Sequence, residues 1–148
     1  MAKASKIEIE GSSISVVKNQ CEDYVSLTDI AKFKNTENTG QVISHWLSTR
    51  FAIDFLGTWE QINNPDFNLT EFSNIRFNAG SNGYVLSAKQ RIKRTNTIGI
   101  ISSAGRYGGT YAHKDIAFEF GSWLSYEFKY YLIREYQRLK DEEQAQFG

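Results

Sequence analysis

The chain has few of the residues that impose covalent or rigid constraints on a fold. Cys21 is its only cysteine, which excludes an internal disulfide and a zinc site built from several thiolates. Pro65 is its only proline, so no proline-rich linker divides the 148 residues. No apolar run approaches the ~20 residues that a membrane-spanning helix needs, and none follows the amino terminus as in a signal peptide. We expect one cytoplasmic domain over residues 1–140, no membrane partner, and a frayed acidic tail over 141–148.

Acidic side chains are missing altogether from residues 72–114. This segment carries a charge of +7 in a chain of zero net charge, from Arg76, Lys89, Arg91, Lys93, Arg94, Arg106 and Lys114. A concentrated positive face is typical of a protein that binds a polyanion, most commonly nucleic acid. The alternative is a solvated surface whose charge is balanced by acids that folding brings from residues 1–71 and 115–148.

Hydrophobic periodicity predicts a mixture of strands and helices. Alternation and turn residues predict a hairpin over 6–17, a short strand at 24–25, a strand at 84–86, and a second hairpin whose strands are 98–101 and 110–112. Apolar stripes and capping residues predict helices at about 27–34, from the Thr39 cap to about 48, through Phe51 to Trp59, at about 67–75, at 88–95, at 114–124, and from Ser125 onward. A break near Ser48-Thr49 would separate the second and third of these helices, and one long bent helix is the alternative. The last helix should dock by one stripe of Phe128, Leu132, Tyr136 and Leu139.

The helices at 27–34 and 41–48 have the pattern of a helix-turn-helix, in which the second helix enters the major groove. Its outward polar residues are Gln41, Ser44 and His45. Glutamine can pair with adenine through two hydrogen bonds, and serine can face either kind of partner. An ordinary helical hairpin is the alternative, because the loop at 35–40 is longer than the turn of the simplest motif.

The helix at 88–95 has only Ala88 and Ile92 as an apolar spine, so its basic side chains are expected to face outward. Arg106 lies in the glycine-rich tip of the second hairpin, where a polar loop can follow a phosphate backbone. These features add to the expected DNA-binding set, which is Gln41, Ser44, His45, Lys89, Arg91, Lys93, Arg94, Arg106, Tyr107 and Lys114.

No catalytic, metal or cofactor site emerges from the spacing of the reactive residues. His45 and His113 have no neighbouring cysteines or paired carboxylates that would complete a metal site. Cys21 is followed by two acidic residues, which disfavour a thiolate nucleophile. The glycine-rich run at 105–109 lacks the Gly-Lys-Ser/Thr end of a phosphate-binding loop. We therefore expect a protein that is not an enzyme and has no cofactor.

Several segments together strongly resemble the KilA-N domain, from about residue 24 to residue 140. The matching segments are Tyr24–Lys32, Trp46-Leu47, Phe55–Glu60, Gly105–His113 and Ile116–Leu124, of which Arg106–His113 is the most specific. Such domains occur in bacteria, phages and large DNA viruses and are related to the APSES DNA-binding domain of fungal transcription factors. The resemblance implies a small α+β domain, winged helix-turn-helix-like, with β-hairpins packed against several short helices and a long C-terminal helix, and a phage-related or regulatory role.

By resemblance, Ser26–Phe33 is the first helix, Gln41–Ser48 the recognition helix, and Ile98–Ala112 the wing, with Arg106 and Tyr107 at its tip. Tyr126 stands where a typical member has proline, which should affect only a helix start. The family module usually precedes another domain, so we expect any effector part to lie outside these residues.

Duplex DNA is the expected partner, and two alternatives stay open. The end of the last helix, Arg134 to Gln144, could pair with a partner protein or a second copy of the chain. Tyr107 and Tyr111 could instead stack bases of single-stranded nucleic acid or RNA.

Overall fold

The computed structural model describes residues 4–9, 11–34, 37–79, 87–103 and 109–147. Within these ranges the chain forms five strands and seven helices. The strands are β1 (Ala4–Ile9), β2 (Ser12–Asn19), β3 (Glu22–Ser26), β4 (Ile100–Ser103) and β5 (Gly109–His113). The helices are α1 (Leu27–Ala31), α2 (Thr39–Leu47), α3 (Arg50–Asn63), α4 (Leu69–Asn78), α5 (Ala88–Thr95), α6 (Lys114–Leu124) and α7 (Tyr126–Phe147). The predicted α+β class is confirmed.

The strands form one antiparallel sheet in the order β1-β2-β3-β5-β4. The predicted first hairpin and short third strand are confirmed as β1, β2 and β3. The register pairs Val16 with Val25, Val25 with Ala112, and Ala112 with Ile100, so one face of the sheet carries a continuous row of buried apolar side chains. The predicted strand at 84–86 lies outside the described residues.

Polar residues cap helices α1 and α3. The Ser26 hydroxyl accepts a hydrogen bond from the Asp29 amide at the start of α1, and Thr49 does the same for Ala52 at the start of α3. The predicted break at Ser48-Thr49 is therefore confirmed. Thr39, expected as a cap, is instead the first residue of α2, and Asn38 precedes it as the N-cap, although its side chain does not accept the capping hydrogen bond.

Helix α7 docks by the predicted stripe, because Phe128, Leu132 and Tyr136 are buried and Leu139 packs against the same core. Helix α7 continues through the acidic residues after 140 to Phe147, and the expected fraying of residues 141–148 stays a prediction. Ion pairs within the helix support this end: Arg138 lies 2.6 Å from Glu142, and Lys140 lies 3.1 Å from Glu143.

A buried carboxylate fastens α7 to the sheet. Asp23, only 4% exposed in β3, lies 2.7 Å from the amino groups of both Lys18 and Lys140. The Tyr136 hydroxyl donates a 2.5 Å hydrogen bond to the same carboxylate. Burial and this hydrogen bond raise the pKa of Tyr136, so the phenol is the donor. Across the described ranges, no helix combines the length and apolar character that crossing a bilayer requires.

Candidate nucleic-acid interface

Helix α1 packs against α2, which places the two elements of the predicted helix-turn-helix side by side. Ile43, Trp46 and Leu47 point from α2 into the core. The opposite side of α2 is polar: Gln41 and His45 are exposed. Ser44 is half-buried beside them. The three predicted recognition residues therefore share one outward face, as their spacing of three and four residues requires.

His45 differs from its two neighbours because another helix touches it. Its imidazole ring lies 5.6 Å from the ring of Trp123 in α6, centre to centre. Trp123 is 40% exposed, so the pair forms an aromatic rim at one side of the polar face. The orientation of His45 is consequently limited by packing, whereas Gln41 has no described side-chain partner.

The basic helix α5 begins at the predicted residue. Ser87 and Gln90 form a reciprocal capping box, with the Ser87 hydroxyl accepting from the Gln90 amide and the Gln90 side chain accepting from the Ser87 amide. Helix α5 contacts α2, α4 and β4. The positively charged helix therefore lies directly beside the helix that carries Gln41.

Lys89 and Lys93 lie one turn apart on α5 and are both exposed. Neither forms an ion pair with any described residue. Their ammonium groups are therefore available to bind an anion at the surface of α5.

Arg91 corrects the prediction that the basic side chains of α5 all face outward. It is 0% exposed, and its guanidinium lies 5.8 Å from the centre of the Phe72 ring in α4. The prediction considered only Ala88 and Ile92 as the inward side, but α5 has neighbours on three sides. The long aliphatic stem of Arg91 fills part of that extended contact, so this residue is not available to DNA.

Three more residues of the positive segment are engaged within the protein. The Arg94 guanidinium donates hydrogen bonds of 3.1 and 3.0 Å to one carboxylate oxygen of Glu71. Arg76 pairs with Asp54 at 2.7 Å. Lys114 is half-buried, and its amino group lies 5.9 Å from the centre of the Tyr136 ring. Acids from outside the segment thus neutralise part of its charge, as the alternative interpretation anticipated.

Side chains of α3 and α1 hold the two strands of the second hairpin, β4 and β5, in place. The Glu60 carboxylate of α3 accepts hydrogen bonds from the Ile98 and Gly99 amides, at 3.1 and 2.7 Å, where the chain enters β4. On the returning strand the Thr110 amide donates to the Thr28 hydroxyl of α1 at 3.0 Å. Tyr111 is half-buried in β5. The predicted tip residues Arg106 and Tyr107 lie outside the described residues.

Lys34 and Arg50 are exposed cations that the sequence interpretation missed. Lys34 follows α1 and Arg50 begins α3, so the two lie on either side of α2 in the chain. Neither has an ion-pair partner among the described residues. Their position next to the predicted recognition helix is the only signal for them in the sequence, because both residues lie outside the positive segment at 72–114.

The two histidines show no arrangement that would hold a metal ion. The Nδ1 atom of His113 accepts a hydrogen bond from the Asp115 amide at 3.2 Å and so caps α6. The Asp115 carboxylate accepts from the Trp59 indole at 3.1 Å. In the part of the chain that the structure describes, no three His, Cys, Asp or Glu side chains converge on a possible metal position.

Comparison with known proteins gives a single family-level result. No curated protein and no solved structure matches the chain significantly. The model of the KilA-N domain matches residues 7–142, nearly the whole chain. This is a family of DNA-binding type, which supports nucleic-acid binding in general. The matched residues include all of β2 to β5 and of α1 to α6, together with part of β1 and most of α7, and the chain belongs to the KilA-N domain family.

Proposed function

We propose that this domain binds duplex DNA, with α2 in the major groove and α5 against the adjacent phosphates. The observation that carries the proposal is the contact between α5 and α2, which places the helix that bears the exposed Lys89 and Lys93 next to the helix that bears Gln41. A recognition helix needs such neighbouring cations, because phosphate contacts fix the orientation of the protein on the duplex while base contacts select the sequence.

Sequence preference is assigned to the exposed face of α2. Gln41 has an exposed side-chain amide, which can donate a hydrogen bond to N7 of adenine and accept one from the N6 amino group of the same base. Ser44 and His45 lie on the same face, and the Trp123 ring limits the positions that His45 can adopt. Gln41 is therefore proposed as the main determinant of selectivity.

Affinity is assigned to cations around α2 rather than to the whole positive segment. Lys89 and Lys93 provide two contacts, and Lys34 and Arg50 extend the positive surface on either side of α2 in the chain. Arg106 and Tyr107, which lie between β4 and β5 in the chain, are proposed to contact the DNA backbone. The hairpin would serve as the wing of a winged helix-turn-helix.

The proposed role is regulatory and non-catalytic: occupancy of a DNA site, in a phage-related or transcriptional setting, would be the output. Binding is the activity that the polar face of α2 and the exposed lysines of α5 support.

The decisive experiment measures the affinity for a labelled duplex by fluorescence anisotropy over a series of salt concentrations. Replacement of Lys89 and Lys93 by Gln should reduce the magnitude of the slope of log affinity against log salt by about 1.8, at ~0.9 per phosphate contact. The matched control replaces Lys6 and Lys129, which lie on β1 and α7, by Gln. A salt-independent affinity, or an equal loss in the control, would disprove the electrostatic part of the proposal.

Selection of bound duplexes from a random pool tests the recognition helix separately. Gln41→Ala should change the base preference at one or two positions, at a cost of about 1–3 kcal/mol for the preferred base. Gln61→Ala, at an exposed position of α3, should leave the base preference unchanged. An unchanged profile for Gln41→Ala would remove α2 from the proposal. Single-stranded competitor should displace the duplex poorly; efficient displacement would favour the single-strand alternative.

A further inference from the structure

A groove of about 450 Å³ lies between α5, β4 and the turn that joins β2 to β3. We propose that it is a binding site for a small amphipathic carboxylate, and that this ligand and DNA exclude each other because both need Lys89 and Lys93. The first part stands on the groove alone, and only the second part rests on the proposed function.

The walls of the groove are mainly apolar. Tyr24, Ile92, Ile100 and Ile101 line it. The Tyr24 ring is held by its hydroxyl, which donates a 2.9 Å hydrogen bond to the carbonyl oxygen of Ile98. Tyr24 and Ile100 are buried on the protein side, so the wall is anchored in the fold and does not depend on loose surface side chains. Such a surface favours an aliphatic chain or a flat ring.

The polar part of the groove is positively charged. Lys89 and Lys93 line it, and neither has an ion-pair partner among the described residues. Asn19, Gln20 and Ser102 add neutral hydrogen-bonding groups, and no lining residue is acidic. An anionic head group would therefore find charge-assisted hydrogen bonds without a competing carboxylate.

Size and chemistry together select the ligand class. Small-molecule sites typically measure about 300–1,000 Å³ and combine apolar walls with a few polar groups, as this groove does. An inorganic anion would leave the isoleucine walls uncovered, and a neutral apolar molecule would leave both ammonium groups without a partner. A carboxylate on a short apolar body satisfies both parts of the groove.

The position of the two lysines couples the groove to DNA. A carboxylate seated between Lys89 and Lys93 neutralises the cations assigned to phosphate binding and adds negative charge at the surface of α5, the helix that contacts α2. Linkage requires the effect to be reciprocal: the ligand weakens DNA binding by the same factor by which DNA weakens ligand binding. The groove would thus act as an effector site that releases the domain from DNA.

The first test titrates octanoate into the protein without DNA and detects binding by the shifts of backbone amide signals in NMR spectra. Signals of α5, β4 and the β2–β3 turn should shift and saturate. Acetate lacks the aliphatic chain and 1-octanol lacks the charge. Each should bind at least about tenfold more weakly than octanoate, which corresponds to the loss of one apolar or charged interaction. Equal binding of 1-octanol, or shifts that map elsewhere, would overturn the proposal.

Two variants localise the ligand. Ser102→Trp places a large ring in the groove and should abolish octanoate binding, while Ser13→Trp, an exposed strand position on β2, should not. Lys93→Glu reverses the charge at the mouth without touching the core and should also abolish binding, whereas Lys6→Glu should not. Retention of octanoate by Lys93→Glu, with circular dichroism confirming the fold, would refute the site even if Ser102→Trp failed to fold.

Competition tests the coupling. In the anisotropy assay, saturating octanoate should raise the apparent Kd for duplex at constant ionic strength at least fivefold, a modest value for allosteric linkage. An equal concentration of acetate should not. Octanoate that binds the groove but leaves the DNA affinity unchanged would disprove mutual exclusion, while a protein that binds octanoate and no DNA would disprove the proposed function and leave the groove assignment intact.

Discussion

The Glu60 carboxylate accepts a 2.7 Å hydrogen bond from the backbone amide of Gly99, although 39 residues separate the two in the chain. Glu60 is 0% exposed, and its other oxygen accepts from the Ile98 amide and from the Asn64 side chain. A buried charge is tolerated here because all the bonds are donated to it. This carboxylate holds the entry to β4, and with it the second hairpin, against α3.

Glu60→Gln should therefore destabilise the fold. The amide has one acceptor oxygen in place of two, and its own NH2 group would face the Ile98 or Gly99 amide. We expect a loss of about 1.5–3 kcal/mol in the free energy of unfolding, the range for hydrogen bonds to charged groups. Urea unfolding checks this, with Glu119→Gln on α6 as the control. A change for Glu60→Gln no larger than that of the control would contradict the assigned role.

Alanine at two helical glycines should have opposite effects. A Cβ atom at Gly57 in α3 would lie 2.2 Å from the Phe72 ring, so Gly57→Ala should cost about 1–3 kcal/mol through overpacking against α4. A Cβ atom at Gly40 in α2 meets nothing within 4 Å, and Gly40→Ala should stabilise by roughly 0.5–1 kcal/mol through lower backbone entropy in the unfolded chain. Thermal unfolding of both variants tests the pair; midpoints that move in the same direction would be inconsistent with this packing.

Acid should weaken the attachment of α7 through Asp23. Burial raises the pKa of this carboxyl, but hydrogen bonds from Lys140, Lys18 and Tyr136 lower it by more. The net result is a pKa of about 2 in place of the ordinary 3.8. The folded state therefore stabilises the carboxylate, and this contribution is complete above pH 3.8 and lost as the pH falls towards 2. Between these values the wild type should lose about 1–2 kcal/mol more than Asp23→Asn, allowing for solvent screening at Lys18.

Urea titrations at closely spaced pH values measure this difference. Tyr136→Phe keeps the carboxylate and both lysines but removes one hydrogen bond, so its loss of stability between pH 3.8 and 2 should be smaller than that of the wild type. An Asp23→Asn protein whose stability falls as steeply as that of the wild type in this interval would show that another group is responsible.

Local chemistry made most of the secondary structure predictable. Ser26, Thr49 and Ser87 each cap a helix because a hydroxyl one residue before the first turn satisfies an amide that the helix leaves open. The stripe of Phe128, Leu132 and Tyr136 predicts the docked side of α7 for a similarly local reason. The acidic end of α7 leaves that stripe, which is why fraying is predicted there, whereas ion pairs at spacings of three and four residues favour the helix.

The site was predictable only in part, because side-chain exposure depends on tertiary neighbours. Lys89, Arg91 and Lys93 are equivalent as local sequence, yet Arg91 is buried against α4 while the lysines are exposed. The neutralisation of Arg94 by Glu71 joins two helices 23 residues apart in the chain, which no periodicity encodes. The contact of Glu60 with Gly99 could not be predicted either, because it joins residues 39 positions apart in the chain.

Arg94 and Lys93 should consequently differ in their effects on DNA binding, although they are adjacent basic residues of α5. Lys93→Gln removes an ammonium without an ion pair among the described residues and should lower the magnitude of the salt slope by about 0.9. Arg94→Gln should lower it by much less, because the guanidinium already lies 3.0 Å from the Glu71 carboxylate. Glu71→Gln removes that neutralising charge from the same surface and should strengthen binding and steepen the slope. Anisotropy titrations of the three variants at four salt concentrations separate these cases, and equal slopes for Lys93→Gln and Arg94→Gln would mean that the pair opens when DNA binds.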